Sequence, residues 1–288
     1  MHRPGRRGDR VPRSQPASRA SVINGEIDSD GQKGIPCYRA SVATLIDPGP
    51  PTLVVGDAAT AAPLIARWLG RIDYREAHAL QKRLVDRRAA DEIDDQLLLL
   101  EHPAVLTLGK RSDPAHILAT PDELARRGIA IEHVERGGEV TYHGPGQLVA
   151  YPIIRLHERG LLLRPFVRAL ERALIDTCAA HGVAAQRRDG HPGCWCDADG
   201  RAPRKLGALG LRVERGVSYH GIALNVTVDL HDFELIDACG MPGVASTSIA
   251  QELGEIDVAP STESVEGAAW TFTRAFAAAI GAPLTVAD

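Results

Sequence analysis

Four stretches of the chain gather residue types that do chemistry. The first is Arg136-Gly137-Gly138-Glu139-Val140-Thr141-Tyr142-His143-Gly144-Pro145-Gly146-Gln147. Its glycines free the backbone for close approach to a ligand. Such a loop can aim N–H groups at a developing oxyanion, and Arg136, Tyr142, His143 and Gln147 add side-chain donors. The residues alone leave it open between a ligand loop and a glycine-rich hairpin. The second stretch is Lys205-Leu206-Gly207-Ala208-Leu209-Gly210-Leu211-Arg212-Val213. A Lys entering a small, apolar strand loses hydration unless an anion such as a thiolate lies nearby. The ordinary alternative is a strand-end Lys pointing to water.

The third is Tyr219-His220-Gly221-Ile222-Ala223-Leu224-Asn225-Val226. Alternation along a strand puts His220, Ile222 and Leu224 on one face. Gly221 and Ala223 make the other face small enough for a bound chain, or simply pack a sheet. The fourth is Asp237-Ala238-Cys239-Gly240-Met241-Pro242-Gly243, a Cys in a loop before the possible helix start Thr247-Ser248-Ile249. A thiol near a helix N-terminus or a cation is a better-populated thiolate, whereas most lone Cys are small buried hydrophobes. Cys194-Trp195-Cys196 invites a metal reading, but no second Cys or His pair stands at zinc-like spacing. These residues read as strand packing, and no metal site is expected. No G-x-x-x-x-G-K-[ST] occurs, and Gly207-Ala208-Leu209-Gly210 lacks the spacing of G-x-G-x-x-G, so neither ATP nor a dinucleotide cofactor is expected.

The elements that must position these residues follow from the rest of the chain. Its 288 residues, 44% hydrophobic and 24% charged, suffice to bury a sizeable core. The net charge of −4 gives no general attraction to nucleic acid or to an anionic membrane surface. No apolar run approaches the roughly 18–20 residues that span a bilayer. Five scattered Cys and no visible secretory signal point to a reducing cytoplasm. Only Lys33, Lys82, Lys110 and Lys205 are Lys among 33 Lys plus Arg, so each Lys is more informative than usual.

Residues 1–38 are rich in Arg, Pro, Gly and Ser without an apolar period and read as a disordered tail. Residues 39–63 read as a linker with one short strand at Leu53–Val55. The catalytic domain is expected over 64–284. Asp73 caps a helix over 74–89, and Thr120-Pro121-Asp122-Glu123 opens another that Gly128 stops. Pro165–His181 and a last helix from Ser261 or Thr262 to Gly281 follow the 3.6 period. Gln96–Leu100, Val105–Leu108, Ile129–Val134 and Gln147–Ile154 read as strands. Lys205–Glu214 and Val217–Val226 read as a hairpin about Arg215-Gly216. Interspersed helices and hairpin-like strand pairs predict an α+β fold with a mixed, mostly antiparallel sheet.

Taken together and in this order, the four stretches resemble the lipoyl(octanoyl) transferase family. The matching text runs over 136–153, over 205–226, and through the Cys-Gly pair after Asp229-Leu230 and Phe233; Leu97–Pro103 resembles the family's early strand. The resemblance implies a fold similar to the catalytic domain of biotin and lipoate protein ligases. It implies transfer of an octanoyl group from octanoyl-acyl carrier protein to a lysine of lipoyl domains, in 2-oxoacid dehydrogenase complexes and the glycine-cleavage H protein. By motif match the nucleophile falls on Cys239 and its activating partner on Lys205. Substrate contacts fall on Arg136, Gly137, Gly138, Glu139, Val140, Thr141, Tyr142, His143, Ala208, Leu209, Gly210, Gly221, Ile222 and Ala223. Competing readings are an ATP-dependent ligase, a Cys–His hydrolase using His143 or His220, and a non-enzymatic binder of acylated protein or lipoate.

Overall fold

The computed structural model describes residues 62–255 and 259–287. The tail over 1–38 and the strand expected at Leu53–Val55 lie outside them. Twelve strands are defined among the described residues: β1 (Leu64–Arg71), β2 (Asp95–Glu101), β3 (Val105–Leu108), β4 (Ala130–His133), β5 (Val140–His143), β6 (Gln147–Ile153), β7 (Gln186–Arg188), β8 (His191–Cys196), β9 (Arg204–Glu214), β10 (Val217–Asn225), β11 (Ala245–Ser246) and β12 (Leu284–Val286). The helices are α1 (Tyr74–Ala89), α2 (Pro121–Arg126), α3 (Leu163–Ala180), α4 (Ile249–Glu252) and α5 (Thr262–Ala279). The large sheet runs β12-β1-β2-β6-β10-β9-β8-β7, with β11 added on β9, and a small sheet runs β4-β3-β5. Pairs β1–β2, β1–β12, β3–β4 and β9–β11 are parallel and the others antiparallel, which is the expected mixed, mostly antiparallel α+β arrangement.

Local chemistry sets the boundaries. The Asp73 carboxylate accepts from the N–H groups of Arg75 and Glu76 and starts α1. Thr120 caps α2 with Pro121 in its first turn, and Ser261 caps α5. The β9–β10 hairpin turns on Arg215 (φ 51°) and Gly216 (φ 80°), the two left-handed residues of a turn whose twist matches the strands.

The sheet buries both faces. Leu97, Leu99, Ile222 and Leu224 pack beneath Phe166, Phe272 and Phe276 of α3 and α5. Leu98, Leu100, Tyr151 and Tyr219 pack against Ala77, Leu84 and Val85 of α1. Each such side chain taken from water contributes about 2 kcal/mol.

One expected periodicity breaks. His220 does not share a face with Ile222 and Leu224. Its φ of 54° turns it to the α1 side, where its ring stacks on Tyr219 and lies 5.5 Å from His78. Strict alternation holds only while φ stays extended.

Candidate active site

Strand β9 supplies one half of the site and the loop after β10 the other. Antiparallel pairing with β10 runs from Glu214 to Gly207 and stops. Beyond it, β11 pairs with Arg204 and Lys205 in parallel, and the Thr247 N–H donates to the Lys205 carbonyl at 3.0 Å. On the other side, Trp195 of β8 is the register partner of Lys205. Lys205 is thus held between two strands, 9% exposed, with its Nζ 5.0 Å from the Trp195 ring centre.

The loop leading into β11 carries Cys239. It is anchored by the Asp237 N–H on the His116 carbonyl, and by the Gly240 N–H on the Asp237 carbonyl. Cys239 itself is left-handed (φ 60°, ψ 22°), an unusual conformation for a side chain with a Cβ. This geometry brings Lys205 Nζ to 3.2 Å from Cys239 Sγ, an N–H···S hydrogen bond.

Both atoms open onto a cavity of about 750 Å³, a size typical of small-ligand sites. Arg136, Gly137, Gly138, Glu139, Thr141, His143, Ala208, Leu209, Gly210, Gly221, Ile222 and Ala223 line it with them. Two expected contacts do not. Alternation in β5 points Val140 and Tyr142 into a separate apolar cluster with Leu106 and Leu235, and the Tyr142 hydroxyl donates to Asp232 at 2.7 Å. Those two are corrected to packing residues. Gly221 also has a second reason to be glycine: a Cβ there would stand 2.0 Å from the Ala150 carbonyl oxygen, in the neighbouring strand.

The glycine loop is a docked element. The Gly137 N–H donates to the Leu211 carbonyl at 3.0 Å, and the Gly146 N–H to Glu101 at 2.8 Å, so neither is free for an oxyanion. Arg136 is 7% exposed and spends its donors on Thr107 of β3 and on the Gly137 carbonyl. It faces the cavity as a fixed charge that staples the loop. The lining carries Arg111, Arg136, Lys205 and Arg212 against one carboxylate, Glu139, in a chain of net charge −4.

The deep end is polar but neutral. Burial, chiefly, pushes His143 down to about 3 and His220 down to about 3, and burial raises Tyr151 far above its ordinary value. Tyr74 and Tyr151 also line the cavity. Tyr74 was not legible in the motifs, since it lies on α1, whereas Tyr151 falls within the 136–153 match on β6, a stretch that reads only as a buried strand.

Comparison with known proteins covers most of the described chain. A family model described as the lipoyl protein ligase A/B catalytic domain matches residues 73–269. An octanoyltransferase of Syntrophobacter fumaroxidans is 48% identical over 187 residues, 65% of this chain and 80% of that protein. One of Corynebacterium efficiens is 45% identical over 228 residues, 78% of this chain and 85% of that protein. The chain belongs to the octanoyltransferase family. A lipoate-protein ligase A bound with ATP superposes with a TM-score of 0.54 at 12% identity, covering 80% of this chain and 90% of that one. A bi-partite lipoate protein ligase of Thermoplasma acidophilum gives 0.53 at 12% identity, with coverage of 79% and 88%. At that identity the fold alone is shared. Against this octanoyltransferase background, the matched span contains Lys205, Cys239 and the whole glycine loop. No helix among the described residues is long and apolar enough to cross a membrane.

Proposed function

We propose that the chain transfers an octanoyl group from octanoyl-acyl carrier protein to a lysine of a lipoyl domain through a thioester on Cys239. The observation that carries this reading is the 3.2 Å contact of Lys205 Nζ and Cys239 Sγ on the cavity wall. In the first half-reaction the Cys239 thiolate attacks the donor thioester. The new Sγ–carbon bond forms, the carbon–sulfur bond to pantetheine breaks, and Lys205 gives its proton to the departing thiolate. In the second, the acceptor lysine amine attacks the Cys239 thioester. The amide bond forms, Sγ leaves as thiolate, and the amine proton returns to Lys205.

Acceptors of this chemistry are the lipoyl domains of 2-oxoacid dehydrogenase complexes and the glycine-cleavage H protein. The surplus of Arg and Lys around the cavity suits a donor whose prosthetic arm carries a phosphodiester. Thioester to amide is downhill, so the mechanism needs no nucleotide. Cys178, Cys194, Cys196 and Cys239 are all free thiols, which leaves Cys239 available as the nucleophile.

The deciding experiment is the intact mass after mixing with octanoyl-acyl carrier protein. A stable octanoyl adduct on Cys239, discharged by a lipoyl domain and by hydroxylamine, is expected. An ATP-dependent ligase would form no such adduct and would need free octanoate with ATP.

A further inference from the structure

On the α1 side of the sheet, His78, Glu135 and His220 each bring one ligating atom within 4.8 Å of the others. They come from α1, from the residue before Arg136 at the root of the glycine loop, and from β10. His220 is the telling member. It takes a left-handed backbone inside a strand, is 1% exposed, and its Nε2 has no hydrogen-bond partner among the described residues. A buried ring nitrogen left unpaired is costly, and strained backbone of this kind clusters at ligand sites. The His78 ring lies 5.5 Å from it and nearly parallel. Glu135 Oε1 meets His78 Nε2 at 3.2 Å and the Tyr219 hydroxyl at 2.9 Å.

We propose that His78, Glu135 and His220 form a binding site for one divalent transition-metal ion of the zinc class. Two imidazoles and a carboxylate, with an open fourth position for water, are the donor set such ions take. His78 and Glu135 are about one quarter to one third exposed, which gives an ion a route in from solvent. The hydrogen bond from Tyr219 orients the carboxylate in the way outer partners orient metal ligands. Lys82 opposes the ion: its Nζ lies 3.9 Å from Glu135 Oε1 while bonding Glu214 at 2.7 Å. A bound ion ties α1 and β10 to the root of the loop that covers the cavity.

The test uses the full chain, stripped with a chelator and titrated with Zn²⁺ by calorimetry and with Co²⁺ by visible absorption. One ion per chain is expected, with cobalt d–d bands and no thiolate-to-cobalt charge-transfer band, and Zn²⁺ raises Tm. His78→Ala, on a partly exposed helix position, weakens binding by about tenfold or more and abolishes the Tm rise. Lys82→Met tightens binding. Absence of binding to the wild type, equal binding by His78→Ala, or a thiolate charge-transfer band that assigns the ion to Cys239 would each overturn the site. None of these readouts depends on acyl transfer, so the metal site and the transferase reading fail separately.

Discussion

Gln147 fixes the proton of His143 on Nδ1. The Gln147 amide donates to Asn225 Oδ1 at 2.9 Å and to the Tyr142 carbonyl at 3.2 Å, so its Oε1 is left to accept, and it meets His143 Nδ1 at 2.7 Å. The ring is neutral at physiological pH, because burial holds it down to about 3. Near neutrality His143 thus presents a neutral ring whose Nδ1–H is held by Gln147. The same condition of three buried histidines makes stability depend on pH. Burial depresses His102 to about 4, and His143 and His220 to about 3, below the unfolded value of about 6.5. Below that unfolded value the unfolded chain binds more protons, so stability falls as pH drops from about 6.5 toward the folded values. Each group contributes a slope of about 1.4 kcal/mol per pH unit. Urea midpoints at pH 7.5 and pH 5 should differ accordingly; equal midpoints would mean that these rings titrate freely in the fold.

Cys239→Ala is expected to abolish acyl-enzyme formation and transfer while leaving Tm within a few degrees. The residue is partly exposed on a loop and contributes little to the core. Alanine at Cys178, Cys194 or Cys196 should leave the adduct mass unchanged, since all three are buried away from the donor. A Cys239→Ala enzyme with wild-type transfer would end the thioester mechanism.

Lys205 separates charge from proton transfer. Arg keeps the positive charge but cannot release and retake a proton near pH 7. Lys205→Arg should keep rapid alkylation of Cys239 by iodoacetamide yet lose about 10²-fold or more in turnover. Lys205→Ala should slow both. Full turnover in Lys205→Arg would leave this residue a purely electrostatic role.

Two glycines on neighbouring strands should fail in different ways. A Cβ at Gly221 meets the Ala150 carbonyl at 2.0 Å, backbone against backbone in the middle of the sheet. Gly221→Ala should cost about 3 kcal/mol in urea unfolding. A Cβ at Gly210 meets the Gly137 carbonyl at 2.8 Å and the Arg136 side chain at 3.2 Å, on the docked loop. Gly210→Ala should shift the loop, costing about 1 kcal/mol of stability but about tenfold or more in transfer.

A chain beginning at Ala62 should fold and transfer octanoyl at a rate close to that of the full chain. The family match begins at residue 73 and β1 at Leu64. Circular dichroism and the adduct assay check this, and a large loss of rate would assign part of the site to the preceding residues.

Much of this was legible in the residues. Asp73, Thr120 and Ser261 announced their helices because capping is local chemistry. The hairpin at Arg215-Gly216 was equally local. The proximity of Lys205 and Cys239 was not, because it depends on the two-residue strand β11, too short to leave a period in the sequence. Only the family resemblance joined them. Alternation fails at His220, where one left-handed residue changes the face, while at Val140 and Tyr142 alternation along β5 is what separates packing from cavity. His78, Glu135 and His220 come from α1, the root of the glycine loop and β10, far apart in the chain, and nothing short-range connects them.

The uneven exposure of the thiols has a practical side. Cys178 and Cys194 are fully buried, Cys196 is 2% exposed, and Cys239 stands alone in reach of solvent among the described residues. In a chain starting at Ala62, which lacks Cys37, a maleimide dye would therefore label one chosen position without any engineered residue. A spin label or fluorine tag attached there would sit at the meeting point of donor and acceptor. The modified thiol forms no thioester, so each carrier-protein encounter could then be followed as a binding event uncoupled from turnover.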